Sequence, residues 1–328
     1  KHARVFRAAA CEIKQTLDLP KVSDYLSQVA NVIVQYSLQL AKDQLIERFG
    51  LPQDIEDQIS DLSVLAYGKM GGYELNYHSD LDVVFIYNSS ISGKTDGIKP
   101  VENIVFYTKV VQRFMFLLNS NTYNGKLYDV DMRLRPSGNS GSLVCSLAGF
   151  ERYQLKQAWT WEHQALIRTR CVTGMSPSEY LKLKTSILIA CNKENLQQNV
   201  SNMRHKMMTQ LGTNSALKDQ RFDIKHDRGG LVDIEFLVQY WVLQHCEKYP
   251  KLCEFSDNLS LLNLLASFKL IDQKVCDQLI DAYVSLRALL HAQVLQDKNS
   301  ITNGLKSGKK IIATVKSVEV YWQQFMLS

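Results

Sequence analysis

Asp80 and Asp82, separated by one leucine at the head of an apolar run, are the residues of this chain best placed to do chemistry. Val83-Val84-Phe85-Ile86-Tyr87 is β-branched and aromatic, as a buried strand is. Residues two apart on a strand project to one side, so the two carboxylates share a face. Held that close they repel unless a cation stands between them. A hard divalent ion such as Mg²⁺ prefers oxygen ligands and usually carries substrate phosphates with it. Just upstream lie Gly71 and Gly72, whose missing side chains would let backbone N–H groups approach a phosphate. The bland alternative is a pair of surface aspartates capping a turn at a strand end.

A glycine pair, a short spacer and Asp-x-Asp on a strand resembles the signature of the polymerase-β-type nucleotidyltransferase superfamily. That superfamily needs a third carboxylate on a neighbouring strand. Tyr128-Asp129-Val130-Asp131-Met132-Arg133-Leu134-Arg135 alternates polar and apolar residues, a strand pattern with Asp131, Arg133 and Arg135 on one face. Asp131 is therefore the candidate.

These residues must be positioned by the elements around them. Leu62–Ala66 is an apolar run that reads as the strand before the glycine turn. Residues 1–19 look helical, with Pro20 interrupting them. Residues 22–49 carry Tyr25, Val29, Val32, Ile33, Tyr36, Leu40 and Leu45 at roughly helical spacing, and Gly50-Leu51-Pro52 ends that helix. Residues 88–100 are polar and turn-rich. Val101–Asn119 predicts an amphipathic helix with Tyr107, Val111, Phe114 and Leu118 inward. Asn124-Gly125 signals a tight turn into the Asp131 strand. Residues 136–141 make a small-residue loop, either against a nucleotide or simply at the surface, and Leu143–Ser146 follows it. From Leu147 the pattern is helical nearly to the end, with helices expected over 147–157, 159–168, 177–190, 194–211, 230–246, 257–268, 273–296 and 309–326. In the penultimate one Leu279, Tyr283, Leu286, Leu290 and Val294 recur at helical steps. The expected architecture is α+β: an N-terminal helical segment over 1–58, a nucleotidyltransferase domain over 59–175 and a C-terminal helical bundle over 176–328.

Length and composition bound the alternatives. The 328 residues suffice for a substantial core. A formal net charge of +5 is too mild for the basic stripe that nucleic-acid binders show, so no nucleic acid is expected as a partner. The basic residues Lys1, His2, Arg4 and Arg7 at the start, and Lys306, Lys309, Lys310 and Lys316 at the end, read as solvated faces. The seven cysteines are scattered without a Cys-x-x-Cys pair, which argues against a disulfide framework and a structural zinc site. With no signal peptide and no apolar run near membrane-spanning length, a soluble, cytoplasmic protein is expected. The chain does not begin with Met, so a piece of something longer is the expectation.

Four ordered stretches, GKMGGYELNYHSDLDVVFIY, LYDVDMRLRPSGNSGSLV, AWTWEHQALIRTRCVTG and RFDIKHDRGGLVDIEFLVQYWVL, together resemble the glutamine synthetase adenylyltransferase family from Leu62 to about Leu295. Two homologous nucleotidyltransferase halves of that bifunctional family add and remove AMP on a tyrosine of glutamine synthetase. Trp159-Thr160-Trp161-Glu162-His163, and Lys225-His226-Asp227 leading to Val232-Asp233-Ile234-Glu235, look like the C-terminal, adenylylating half. Asn76 resembles the other half, and Arg228 stands where proline is expected.

The resemblance implies that Asp80, Asp82 and Asp131 hold Mg²⁺ or Mn²⁺, with Asp131 able to accept the tyrosine proton. It implies a nucleotide-binding set of Gly71, Gly72, Lys69, Ser79, Arg133 and Arg135 for ATP. Glutamine synthetase would be the substrate protein, with the PII signal protein and glutamine as effectors. Removal of AMP by phosphorolysis, or a regulatory module without chemistry, stay open beside adenylylation.

Several residues allow two readings. Arg133 and Arg135 either neutralise phosphate or pair with neighbouring carboxylates, and a salt bridge to an arginine would account for Asp129. Glu162, His163, Arg168 and Arg170 either touch ligand or hold the helical tail against the α/β core. Trp159 and Trp161, two apart on a predicted helix, cannot share a face, so at least one belongs in the core. Gly229-Gly230 before a helix start is either an anion site or a structural turn, with Asp233 favourable in the first helical turn. His205, His245 and His291 are single histidines without ligand spacing.

Overall fold

The computed structural model describes residues 1–53, 62–88, 93–213, 222–302 and 309–327. The expected boundary at residue 58, part of the 88–100 loop, and Lys306 lie outside the described residues.

Two helices lead in, α1 (His2–Ile13) and α2 (Leu19–Phe49). The expected break at Pro20 falls earlier in the structure: Asp18 caps α2 by accepting the Lys21 N–H, and Pro20 sits in its first turn. A first-turn proline has no N–H to lose from the helical ladder, so it starts this helix rather than ending the previous one. The buried stripe of α2 also differs from the expected one. It runs through Val22, Leu26, Ala30, Val34, Leu38 and Ala41, while Val32 and Tyr36 are exposed. Small residues in that stripe let the helix pack closely, which a count of large apolar side chains overlooks.

Strand β1 (Leu62–Ala66) runs into a short helical turn, α3 (Gly68–Gly71), and then β2 (Leu81–Tyr87), which pairs antiparallel with β1 from Leu62↔Tyr87 to Ala66↔Val83. Helix α4 (Asn103–Asn119) buries Tyr107, Val111, Phe114 and Leu118 as expected. The Asn124-Gly125 turn closes with reciprocal Thr122–Gly125 backbone hydrogen bonds. Strands β3 (Val130–Asp131) and β4 (Val144–Ser146) then share the free edge of β2, both parallel to it. Helices α5 (Leu147–Lys156) and α6 (Thr160–Ile167) follow. A strand missed by the helical reading, β5 (Arg170–Thr173), pairs with the other edge of β1. Four residues cannot display a period, and Val172-Thr173 is the only β-prone signal there.

The tail comprises α7 (Pro177–Ala190), α8 (Leu196–Leu211), α9 (Leu231–His245), α10 (Asn258–Ser267), α11 (Gln273–Val294) and α12 (Lys309–Met326), close to the expected bounds. A two-stranded ribbon, β6 (Phe222–Asp223) with β7 (Ile301–Thr302), was not expected. None of the described helices is long and apolar enough to cross a membrane.

The sheet is covered on both faces, which is why its two central strands read as continuous apolar runs. Leu65, Tyr67, Val84 and Ile86 pack into the core of the tail helices. Their alternates Val64, Ala66, Val83, Phe85 and Tyr87 pack against α2 and α4. The architecture is thus α+β, with helical segments on either side of a small mixed sheet.

Candidate active site

The site forms where β1 ends and β2 begins, beside α3. Gly68 takes φ +55°, and a Cβ there would lie 2.7 Å from Asp82 Oδ2. Both conformation and space therefore require glycine at this turn. Asp82 and Asp131 are register partners on adjacent parallel strands, and Asp80 precedes Asp82 by two residues. The third carboxylate thus stands on a neighbouring strand, as expected. Asp82 is half-buried, and its carboxyl is pushed up to about 6 by burial and by repulsion from Asp131 and Asp80, with Lys69 and Lys225 acting the other way. That is the electrostatic signature of carboxylates gathered without enough positive charge. Asp131 behaves oppositely. Arg133 grips it through Nε at 2.8 Å and 3.0 Å from its two oxygens and holds its carboxyl below the usual range.

In oxygen chemistry the trio fits a hard divalent cation. Yet among the described residues no three His, Cys, Asp or Glu side chains are grouped closely enough to hold one as they stand, with Asp131 turned to Arg133.

Other predicted residues are placed less simply. The N–H groups of Gly71 and Gly72 donate to the carbonyls of Tyr67 and Gly68 at 2.9 and 3.0 Å, so they close the α3 turn. A Cβ on Gly71 would sit 2.0 Å from the Arg168 carbonyl oxygen, so this glycine serves close backbone packing. Ser79 Oγ donates to Asn76 Oδ1 at 2.7 Å and fastens the turn before Asp80. The strand expected through Arg135 ends at Asp131, because the chain turns at Arg133. Arg135 consequently binds its own loop, donating to the carbonyls of Met132 at 2.9 Å and Gly141 at 3.2 Å. Asp129 pairs with Lys126 rather than with an arginine. Trp159 caps α6 from an exposed position and Trp161 is half-buried, so neither is a fully buried core residue.

Arg168 and Arg170 hold the core to its neighbours. Arg170 donates to Asn31 on α2 at 2.7 Å and to the Met70 carbonyl. Arg168, buried, ion-pairs with Glu74 beyond the glycine turn and with Glu235 on α9 at 2.6 Å. Burial works against its charge, and the two carboxylates keep it ionised. Tyr283 donates to Glu74 at 2.6 Å and to Glu235 at 3.3 Å, and the Asn258 N–H donates to Glu74 at 3.2 Å. No spacing rule marks Glu74, Glu235 or Tyr283, because they converge from three distant segments.

Lys69 lies on α3 beside this network, half-buried, and burial together with the nearby Lys225 charge lowers its ammonium to about 8. The Lys225–Gly230 turn does not offer the open helix end that two glycines suggested. The N–H groups of Leu231, Val232 and Asp233 donate to Ile224, Lys225 and Gly230, and Asp233 accepts from Gly229 at 2.6 Å. Asp233 is itself fully buried against Arg204, a partner that sequence spacing did not indicate. His291 accounts for itself structurally, contacting Glu12 at 3.3 Å and the Tyr77 ring.

The family model for glutamate-ammonia ligase adenylyltransferase matches residues 1–185, and that for GlnD PII-uridylyltransferase matches residues 201–303. The bifunctional glutamine synthetase adenylyltransferase/adenylyl-removing enzyme of Hahella chejuensis is 43% identical over 304 residues, covering 90% of this chain and 32% of the relative. The protein of the same name from Pseudomonas syringae pv. tomato is 40% identical over 342 residues, covering 100% of this chain and 34% of the relative. That from Pasteurella multocida is 42% identical over 295 residues, covering 89% and 30%. The chain spans about a third of the length of these relatives.

Proposed function

The chain belongs to the glutamate-ammonia ligase adenylyltransferase family, and from that premise we propose that it is a polymerase-β-like nucleotidyltransferase that adenylylates a tyrosine of glutamine synthetase. The observation that carries this reading is the Asp82–Asp131 register across two parallel strands, with Asp80 beside it. ATP is the nucleotide substrate. Asp80, Asp82 and Asp131 are the residues that would hold Mg²⁺ or Mn²⁺, which supplies charge neutralisation on the phosphates when bound. The tyrosine oxygen attacks the α-phosphorus, and the bond to pyrophosphate breaks. Such transfer depends mainly on positioning and on cancelling charge.

The chain's own residues meet those needs. Gly68 brings backbone against Asp82, and Lys69 places positive charge next to it. While Arg133 grips Asp131, that carboxylate is a weak base. Proton transfer to Asp131 therefore requires Arg133 to swing away, and its side chain, 73% exposed, has the room. Residues 59–175 carry the chemistry and 176–328 the docking of protein partners, among which the PII signal protein, and glutamine as a small effector, fit the family.

The test uses α-labelled ATP, Mg²⁺ and unmodified glutamine synthetase, with wild type beside Asp80→Asn/Asp82→Asn. The expected result is label on a synthetase tyrosine, lost in the double variant, with pyrophosphate released. ADP released from adenylylated synthetase and phosphate, without labelling, would assign the reverse reaction, to which Asn76 bears a resemblance. Silence in both assays would leave a module without chemistry.

A further inference from the structure

The turn that sets Gly68 against Asp82 is held from the helical tail by hydrogen bonds to its backbone. Residues 255–258, which lead into α10, supply two of the contacts. Ser256 Oγ donates to the Gly71 carbonyl at 2.8 Å, although 185 positions separate the two residues. The Asn258 N–H donates to the Glu74 carboxylate at 3.2 Å, and its side-chain amide donates to the Tyr283 hydroxyl at 2.8 Å. From α11, Arg287 reaches the Glu74 carbonyl at 3.4 Å and the Ser23 hydroxyl on α2 at 2.7 Å. A Cβ on Gly72 would stand 3.1 Å from the Ser256 carbonyl oxygen, so tail backbone passes directly against the turn.

The segment is itself anchored. Lys184 on α7 is buried, and its ammonium donates to the carbonyls of Ile167 at 2.7 Å, Thr169 at 3.4 Å and Phe255 at 3.2 Å. A buried ammonium is costly unless it is given acceptors. Here the acceptors are the end of α6, the approach to β5 and the residue before Ser256, so one charge fixes all three.

A shift at Gly71 would not stay local. The Gly71 N–H donates to the Tyr67 carbonyl at 2.9 Å, the Gly72 N–H to the Gly68 carbonyl at 3.0 Å, and the Tyr67 N–H to the Asp82 carbonyl at 2.8 Å. Gly68, tight against Asp82 Oδ2, leaves the carboxylate no slack. On the α10 side, packing does little to hold the turn. A cleft of about 270 Å³ opens there, lined by Gly72, Glu74, Asp257 and Ser260 among others. Hydrogen bonds therefore set the separation of tail and turn. Displacing a site by about 1 Å through a change remote from the reacting atoms can cost about a hundredfold in rate.

We infer that Ser256 is a positioning residue for nucleotidyl transfer: its hydroxyl, anchored through Phe255 by Lys184, holds the Gly71 carbonyl and keeps the glycine turn aligned on Asp82. This rests on the nucleotidyl-transfer reading above. Ser256 acts through the turn and moves no proton.

The test is Ser256→Ala in the full chain, assayed with α-labelled ATP, Mg²⁺ and glutamine synthetase over a range of ATP concentrations. The expected result is a kcat about tenfold lower with KM for ATP within about twofold of wild type. Ser256→Thr, which keeps the hydroxyl, should recover most of the loss. Where the threonine variant does not fold, Ser256→Cys, a weaker donor, should fall between serine and alanine. The melting temperature of Ser256→Ala should fall by no more than about 4 °C, as one hydrogen bond is lost. A serine with only a structural task would lower that temperature and leave kcat of the folded protein unchanged. Hydrogen exchange followed by mass spectrometry gives a readout independent of the reaction: residues 67–74 should exchange several-fold faster in Ser256→Ala. Unchanged exchange over that segment, an unchanged kcat, or a raised KM at constant kcat would each overturn the positioning role while leaving nucleotidyl transfer standing. A wild type that transfers AMP in neither direction would overturn the nucleotidyl-transfer reading and this role with it, and the exchange rates would still show whether Ser256 holds the turn.

Discussion

Replacing Arg168 by Met tests whether the buried ion network joins the sheet to the tail. The perturbation leaves Glu74 and Glu235 without their shared guanidinium, both in places where water has little access. Breaking a buried pair by removing one partner costs about 3–5 kcal/mol, because the remaining charge is uncompensated. Glu74 would still accept from Tyr283 at 2.6 Å and from the Asn258 N–H at 3.2 Å, whereas among the described residues Glu235 shares that Tyr283 hydroxyl at 3.3 Å and keeps the positive charges of Lys225 and Lys69 nearby. These residual donors place the expected loss near the lower end, about 3 kcal/mol at neutral pH. Urea unfolding followed by tryptophan fluorescence would read it as a lower midpoint with an unchanged slope. The same argument requires partial rescue: Arg168→Met/Glu235→Gln should be more stable than Arg168→Met alone, since the amide carries no stranded charge. The deficit of the single variant should also shrink as pH falls toward 5, as the stranded carboxyls take up protons. A loss below about 1 kcal/mol, the range of an exposed ion pair, would refute the reasoning.

Gly71→Ala should destabilise the protein by about 1–3 kcal/mol, because the new Cβ meets the Arg168 carbonyl oxygen at 2.0 Å and backbone must shift. An unchanged melting temperature would show that the α3 turn is not packed as described. Acidification should also weaken the fold. Burial holds His163 and His291 below the ordinary imidazole range, so both stay neutral as pH falls while the unfolded chain takes up protons. Stability should therefore be full above about pH 6.5 and decline below it, by up to about 1.4 kcal/mol per pH unit per histidine. Glu12 adds to the trend at lower pH. Despite burial, hydrogen bonds from His291 and Tyr77 hold its carboxyl below the usual range, so its contribution is lost as pH falls through that lowered value. Unfolding midpoints of wild type and His163→Gln/His291→Gln between pH 5 and 8 check this, and parallel profiles would count against it.

Much of this protein was legible locally. Two residues apart on a strand share a face, and four on a helix share a stripe, so the Asp80/Asp82 pair, the inward face of α4 and most tail helices follow from spacing alone. The strand that sets Asp131 beside Asp82 was legible from the alternation over residues 128–135, although the strand formed is only two residues long. Where local signals misled, a competing contact explains the outcome. Gly71 and Gly72 have the freedom to meet a phosphate, but their N–H groups close a turn and Gly71 packs on Arg168. Arg135 has the alternation to face the cleft, but the strand ends before it and loop carbonyls take its guanidinium.

The amino-acid order determined which residue types could do metal-assisted phosphate chemistry and which segments would be helix or strand, since both depend on neighbours within a few positions. Only the tertiary structure decided which distant charges meet. Arg168 and Glu74 lie 94 positions apart, and no periodicity relates them. Nor does any link Arg204 to Asp233. Their pairing arises from the fold's need to give every buried charge a partner, and that need is satisfied through space rather than along the chain.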